Sequence, residues 1–259
     1  MRRLYTILFI MLWIGMMPSA AFADGSSGHE ALLKQAETLL VNYKESEALS
    51  LYEQVLKMEP DNYVALCKAS ILHVRIGDRF SDDTRKMEYF SKAKSYAEQA
   101  YELHPFDAEA NFAMANSLAY IAKVAGPKQR LSLTNQIKSF ADAAVVSNHG
   151  HAAAWHLLGR WHYKMANLNF AEEAAAKLFF GGVCGDASNI RAVESMKLAI
   201  QYNPANIQYY FDLATIYKDL KKKQDCISTL EQALTLELET KEELELSRRC
   251  KLMLQEQLK

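Results

Sequence analysis

Trp155-His156-Leu157-Leu158-Gly159-Arg160-Trp161-His162 and Tyr210-Phe211-Asp212-Leu213-Ala214-Thr215-Ile216-Tyr217 decide the fold of this chain. Each octapeptide opens on a large aromatic residue, places Leu fourth and a small residue fifth, and ends on a ring. Residues at i, i+3, i+4 and i+7 share one helix face, so each stretch reads as a helix with a small residue at its closest approach to a neighbour. A second spacing follows each time: Ala192-x3-Met196-x2-Ala199 before Pro204, and Cys226-x3-Leu230-x2-Ala233 before Leu238. Proline ends a helix because it removes a donor and clashes with the preceding turn. The unit is therefore a pair of helices.

The same register extends toward the N-terminus. Leu32-x-x-Gln35-Ala36-x-x-Leu39 precedes Ala48, Tyr52, Val55 and Pro60. Leu66-x-x-Ala69-Ser70-x-x-His73 precedes Ala93, Ala97, Ala100 and Pro105. Asn111-x-x-Met114-Ala115-x-x-Leu118 precedes Ile137, Ala141 and Ala144, with His149 where the proline would stand. These are variants of the tetratricopeptide pattern. Ala36, Ser70, Ala115, Gly159 and Ala214 hold one position of every unit, where a larger side chain would force the helices apart. The pattern predicts an all-α, right-handed solenoid of five helix pairs over residues 29–62, 63–107, 108–151, 152–206 and 207–240. A charged capping helix over 241–258 gives the stack a polar end.

The middle units are stretched. Pro60 to Pro105 is 45 residues, Pro105 to His149 is 44 and His149 to Pro204 is 55, against 34 for Pro204 to Leu238. The additions fall between the two helices of each unit. Arg79 to Lys86 and Gly126 to Arg130 read as extended starts of the second helix, with Ser81 as cap and Pro127 in the first turn. Leu168 to Asn189 predicts an extra helix, Phe170 to Phe180, and a glycine-rich elbow, Gly181-Gly182-Val183-Cys184-Gly185.

The N-terminus reads as a secretion signal: Arg2 and Arg3, an apolar run from Leu4 to Met17, and a small-x-small site at Ala21-Phe22-Ala23. That makes residues 1–23 a signal peptide, residues 24–28 a short flexible lead-in, and residues 29–259 one exported, periplasmic domain. The run is too short to span a bilayer comfortably, so no integral membrane segment is expected after cleavage. Removing Arg2 and Arg3 from the 30 basic residues leaves 28 against 31 acidic, a balance of −3. That is no footprint for nucleic acid. Four cysteines, Cys67, Cys184, Cys226 and Cys250, show no paired spacing. Cys226 and Cys250 flank a helix–helix turn evenly, so either a disulfide or simple packing fits them.

From Trp155 onward the chain resembles the regulator of microtubule dynamics family of helical-repeat proteins. His156-Leu157-Leu158-Gly159-Arg160-Trp161-His162-Tyr163 carries the likeness, with Leu168, Glu172, Leu178-Phe179, Gly181, Ala192, Lys197-Leu198-Ala199 and Pro204. The resemblance implies a helical-repeat fold and a binding role, and some relatives are linked to membrane contact and lipid transfer. An exported chain would meet no microtubule, so that part of the family's task is not carried over.

Chemistry is sparse. His149, His151, His156 and His162 cluster in sequence, but two ligands on one helix need i, i+4 spacing. His151 and His162 stand about 16 Å apart along a helix axis. Gly181 to Gly185 lacks the Lys and Ser/Thr of a phosphate loop. No catalytic residue, metal or cofactor is expected. What remains is the concave face, lined by first-helix positions: Arg75 with Cys67 and Ile71; Phe112, Asn116 and Tyr120; His156, Arg160, Tyr163 and Lys164; Phe211 and Lys218 with Thr215. Arginines and lysines beside aromatic platforms suit an extended peptide bearing a carboxylate. The alternative occupant is a lipid or other apolar molecule with an anionic head.

Overall fold

A computed structural model describes residues 25–180 and 186–259 of the 259-residue chain. The expected signal peptide over residues 1–23 and the elbow containing Cys184 lie outside the described residues. Among the described residues there are twelve helices and no strand. They form an α-solenoid of helix pairs: α1 (Gly25–Val41) with α2 (Glu45–Met58), α3 (Tyr63–Gly77) with α4 (Asp83–Leu103), and α5 (Ala108–Val124) with α6 (Pro127–Ser147). Then α7 (Ala152–Ala166) pairs with α9 (Asn189–Tyr202) around the extra helix α8 (Phe170–Phe180). The last pair is α10 (Ile207–Asp219) with α11 (Lys223–Ala233), closed by α12 (Lys241–Leu258).

The turns between pairs follow from three tripeptides. Pro60-Asp61-Asn62, Pro105-Phe106-Asp107 and Pro204-Ala205-Asn206 each end one helix and cap the next, because an Asx side chain accepts from an otherwise orphaned backbone N–H. Asn62 accepts from Ala65 N at 3.0 Å, Asp107 from Glu109 N at 2.8 Å, and Asn206 from Gln208 N at 3.0 Å. In the third unit, where His149 replaces the proline, the His151 ring takes the cap and accepts from Ala154 N at 3.1 Å. The cap of α4 is Asp82, one residue beyond the expected Ser81, and it accepts from Arg85 N at 2.8 Å. Helix α1 begins at Gly25, inside the stretch expected to be a flexible lead-in. Adding residues to an existing helix end costs far less than nucleating one.

The two short units share a turn. Tyr43 and Lys221 both sit at φ 58°, the left-handed region. Lys44 N donates to Leu39 O and Lys222 N to Tyr217 O, each at 2.9 Å, closing the helix end across the same interval.

The small-residue register is the core. Ala36, Ala115 and Ala214 are fully buried, and Ser70 and Gly159 are buried with them. In the second helices Ala48, Ala93, Ala192 and Cys226 are likewise buried, as are Val55, Ala100, Ala144, Ala199 and Ala233. Gly159 shows why size matters: a Cβ there would lie 2.9 Å from Met196 Cγ and 3.2 Å from Ala192 O. Cys67, Cys226 and Cys250 are free and buried, so the possible bridge from Cys226 to Cys250 is not formed. Both pack in one apolar cluster with Leu213, Tyr217 and Leu230.

The stack curls until its ends meet. Tyr43 donates a hydrogen bond to Glu239, and Arg79 reaches both the buried Glu45 and, at 3.5 Å, Glu242.

Candidate functional site

The inner helices α5, α7 and α10 form one wall of a cavity of about 730 Å³, and α6 and α8 form most of the rest, with Met196 of α9. Its lining is largely carbon, from Ala119, Ala122, Leu131, Ile137, Leu157 and Met165 among others. The insertion makes this space. Chain leaving α7 passes through Leu168 and Asn169 into α8, which turns Ala171, Glu172 and Ala175 toward the opening. Asn169 and Glu172 cap α8 reciprocally: Glu172 N donates to Asn169 Oδ1 at 2.9 Å, and Asn169 N donates to Glu172 Oε2 at 3.0 Å. Trp161 fixes the floor, with Nε1 donating to Thr134 O at 2.9 Å.

Four cations line the cavity: Lys123, Arg130, Arg160 and Lys164. Three are engaged. Lys123 pairs with Asp78. Arg130 donates to Ala122 O at 3.0 Å and Ala125 O at 3.1 Å, closing the end of α5. Lys164 pairs with Glu172 at 2.9 Å, and this hydrogen bond holds the Glu172 carboxyl below the ordinary carboxylate range. Arg160 is exposed, meets the Tyr120 hydroxyl and has no carboxylate partner among the described residues. Burial raises the Tyr120 hydroxyl above its ordinary value, with Arg160 opposing, so it stays neutral and its oxygen accepts from the guanidinium.

Of the expected groove residues, Tyr120, Arg160, Tyr163, Lys164 and Thr215 come together here. Tyr163 donates to Asp219, and burial followed by that bond pushes its hydroxyl up to about 12. The others go elsewhere. Register alone makes Phe112 and Phe211 open platforms, but each is only 8% exposed. Phe112 packs on the His151 ring at 4.6 Å, and the Arg249 guanidinium of the capping helix covers Phe211 at 4.3 Å. Arg75 pairs with the buried Glu45 at 2.6 Å. Lys218 pairs with Glu256 at 2.9 Å. His156 lies against the Tyr209 ring and pairs with Asp212 at 2.7 Å, so it orients a carboxylate that lines the cavity without lining it itself. Asn116 is half-buried on α5, outside the cavity, with no hydrogen-bond partner among the described residues.

First-helix reasoning missed Lys123, Arg130, Thr134, Glu172 and Asp212. For Arg130, Thr134 and Glu172 the unusual lengths of the third and fourth units were the signal, since α6 and α8 carry them; Lys123 and Asp212 stand on the first helices α5 and α10 and had no such signal. Among the described residues no group of three or more His, Cys, Asp or Glu could hold a metal, and no helix is long and apolar enough to cross a membrane.

Comparison with solved structures places the fold. A thermophilic TPR protein from Thermus thermophilus superposes with a TM-score of 0.64 at 16% identity, over 86% of this chain and 97% of that one. PilW, a type IV pilus biogenesis factor, gives 0.55 at 14% identity over 88% of each chain. In sequence, regulator of microtubule dynamics protein 2 from Homo sapiens is 24% identical over 65% of this chain and 42% of its own length. Regulator of microtubule dynamics protein 3 from Bos taurus is 24% identical over 89% of this chain and 50% of its own. The chain thus spans about half the length of the curated relatives it matches. The family profile of regulator of microtubule dynamics protein 1-3 matches residues 32–259, insert and capping helix included. This chain, a tetratricopeptide-type solenoid, belongs to the regulator of microtubule dynamics protein 1-3 family.

Proposed function

We propose that the chain is an exported helical-repeat adaptor that holds an apolar segment of a protein or peptide partner in the cavity beneath α8. One observation carries this reading: a largely apolar space of about 730 Å³ with Arg160 at its wall, meeting no carboxylate among the described residues. That volume falls within the roughly 300–1,000 Å³ of ordinary ligand clefts, where a few polar groups set orientation. A carboxylate or phosphate entering beside Arg160 would gain a planar, two-pronged donor that needs little ordering. Catalysis has no part in the reading. Thr215 Oγ1 is engaged with Phe211 O at 2.8 Å, and His156 with Asp212.

Export rests on the signal-like residues Arg2 to Ala23. The mass of the chain recovered from the periplasm should begin at Asp24; a full-length mass would remove export from the proposal. For binding, a peptide library screened against the native chain should return apolar sequences whose capture is lost with Arg160→Glu at unchanged thermal stability. Capture that survives Arg160→Glu would move the site elsewhere.

The carbon-rich lining also favours a second reading, an apolar molecule with an anionic head. Organic extraction of natively expressed protein followed by mass spectrometry should then find a bound amphiphile in stoichiometric amount. A clean extract would leave the peptide reading alone.

A further inference from the structure

The insert brings its own carboxylate to the cavity. Glu172 stands with both oxygens within 3.2 Å of Lys164 Nζ, and it also feels the positive charge of Arg130. Lys164 and Arg130 belong to the two walls, α7 and α6, between which an anionic group would have to lie. Glu172 is partly exposed and belongs to a helix that packs on the body only lightly, mainly against α6. Its capping bonds to Asn169 need an oxygen at that position and no charge, because Gln serves at the third position of a capping box as Glu does. The cap therefore does not require the charge.

We propose that Glu172 is a built-in competitor: in the empty protein its carboxylate occupies the Lys164 side of the cavity, and a ligand carrying an anionic group on an apolar chain displaces it. The inference rests on the cavity being the binding site. It gives the insert a selective role, since a neutral ligand gains nothing from the displacement and an anionic one must win a cation already in use. Arg160, which meets no carboxylate among the described residues, makes the first contact, and Lys164 becomes available as α8 moves out.

The test uses the native chain and two matched pairs of probes. One pair is an acetylated apolar tripeptide with a free C-terminal carboxylate and its C-terminal amide. The other is dodecanoate and dodecanol. Calorimetric affinities are measured for the wild type, for Glu172→Gln, and for Thr215→Trp, which fills the cavity. Release of one partly exposed cation corresponds to roughly two- to five-fold. Glu172→Gln should tighten the charged member of at least one pair by about that factor and leave its neutral member unchanged. The pair that responds identifies whether a peptide or an amphiphile supplies the anion. Equal effects on charged and neutral members, or none on either, would overturn the competitor role. Binding that Thr215→Trp does not weaken, or no binding by any probe, would instead overturn the cavity as the site. Circular dichroism of Glu172→Gln guards against a lost cap: unchanged helix content with unchanged affinities still overturns the proposal.

Discussion

The fourth and fifth units solve the same packing problem in two ways. The fifth joins α10 to α11 through three residues, Leu220 to Lys222, and accepts a left-handed lysine to do so. The fourth places α8 between α7 and α9, yet α7 and α9 still pack on each other as a pair. Gly159 in one and Ala214 in the other sit at the same buried point. The difference teaches that the pair is specified by the small-residue register and not by the connection. A connection freed from that duty can build something else, and here it builds a cavity wall.

The comparison breaks first at the core. Met196 and Leu230 hold the same position of their units and are both fully buried. Met196→Ala and Leu230→Ala should each cost about 2–5 kcal/mol in urea unfolding. A loss far smaller at Met196 would show that the insert has loosened the fourth unit. Next comes the close approach. Gly159→Ala should cost about 1–3 kcal/mol, because the new Cβ meets Met196 and the Ala192 carbonyl. Ala214→Gly should cost only about 1 kcal/mol, from helix entropy.

A titrating ring sharpens the contrast. His162 in the fourth unit stands where the fifth has Tyr217. Burial, with Lys138 and Arg191 adding to it and Asp186 opposing, lowers the His162 pKa from 6.5. The folded state therefore holds the ring neutral while the unfolded chain takes up a proton below 6.5. Stability present above that pH is lost as pH falls, by about 1 kcal/mol or less between pH 7 and pH 5.5. His73, lowered chiefly by burial, contributes in the same direction. His162→Tyr should flatten the fourth unit's share of that slope. An unaltered slope would place the proton uptake elsewhere. The smallest effect concerns the turns. Lys221→Gly should stabilise by up to about 1 kcal/mol, since glycine meets no steric penalty at φ 58°.

The repeat was legible because its message is redundant: five units each repeat the same small positions, and substitution at one, such as His149 for proline, leaves the others readable. The concave face was not. Assigning first-helix positions to an open groove assumes that no neighbour covers them. Phe112 and Phe211 fail that assumption because His151 comes from the next turn and Arg249 from the capping helix. Arg75 fails it because a glutamate in α2 needs a partner once buried. Tyr120, Arg160, Tyr163 and Lys164 still line the cavity beneath α8, although Tyr163 and Lys164 are engaged by Asp219 and Glu172. Arg130 and Glu172 were hidden for a related reason: their positions have no counterpart in a 34-residue unit.

The central claim is that the insert-built cavity, and not the outer surface, receives the partner. Photo-crosslinking tests it most directly, with p-benzoylphenylalanine in place of Ala175 on the cavity wall or of Ser228 on the exposed face of α11. Illumination in periplasmic extract should give a discrete adduct from position 175, suppressed by Arg160→Glu, and none from position 228. Adducts from 228 alone, or from 175 undiminished by Arg160→Glu, would contradict the account.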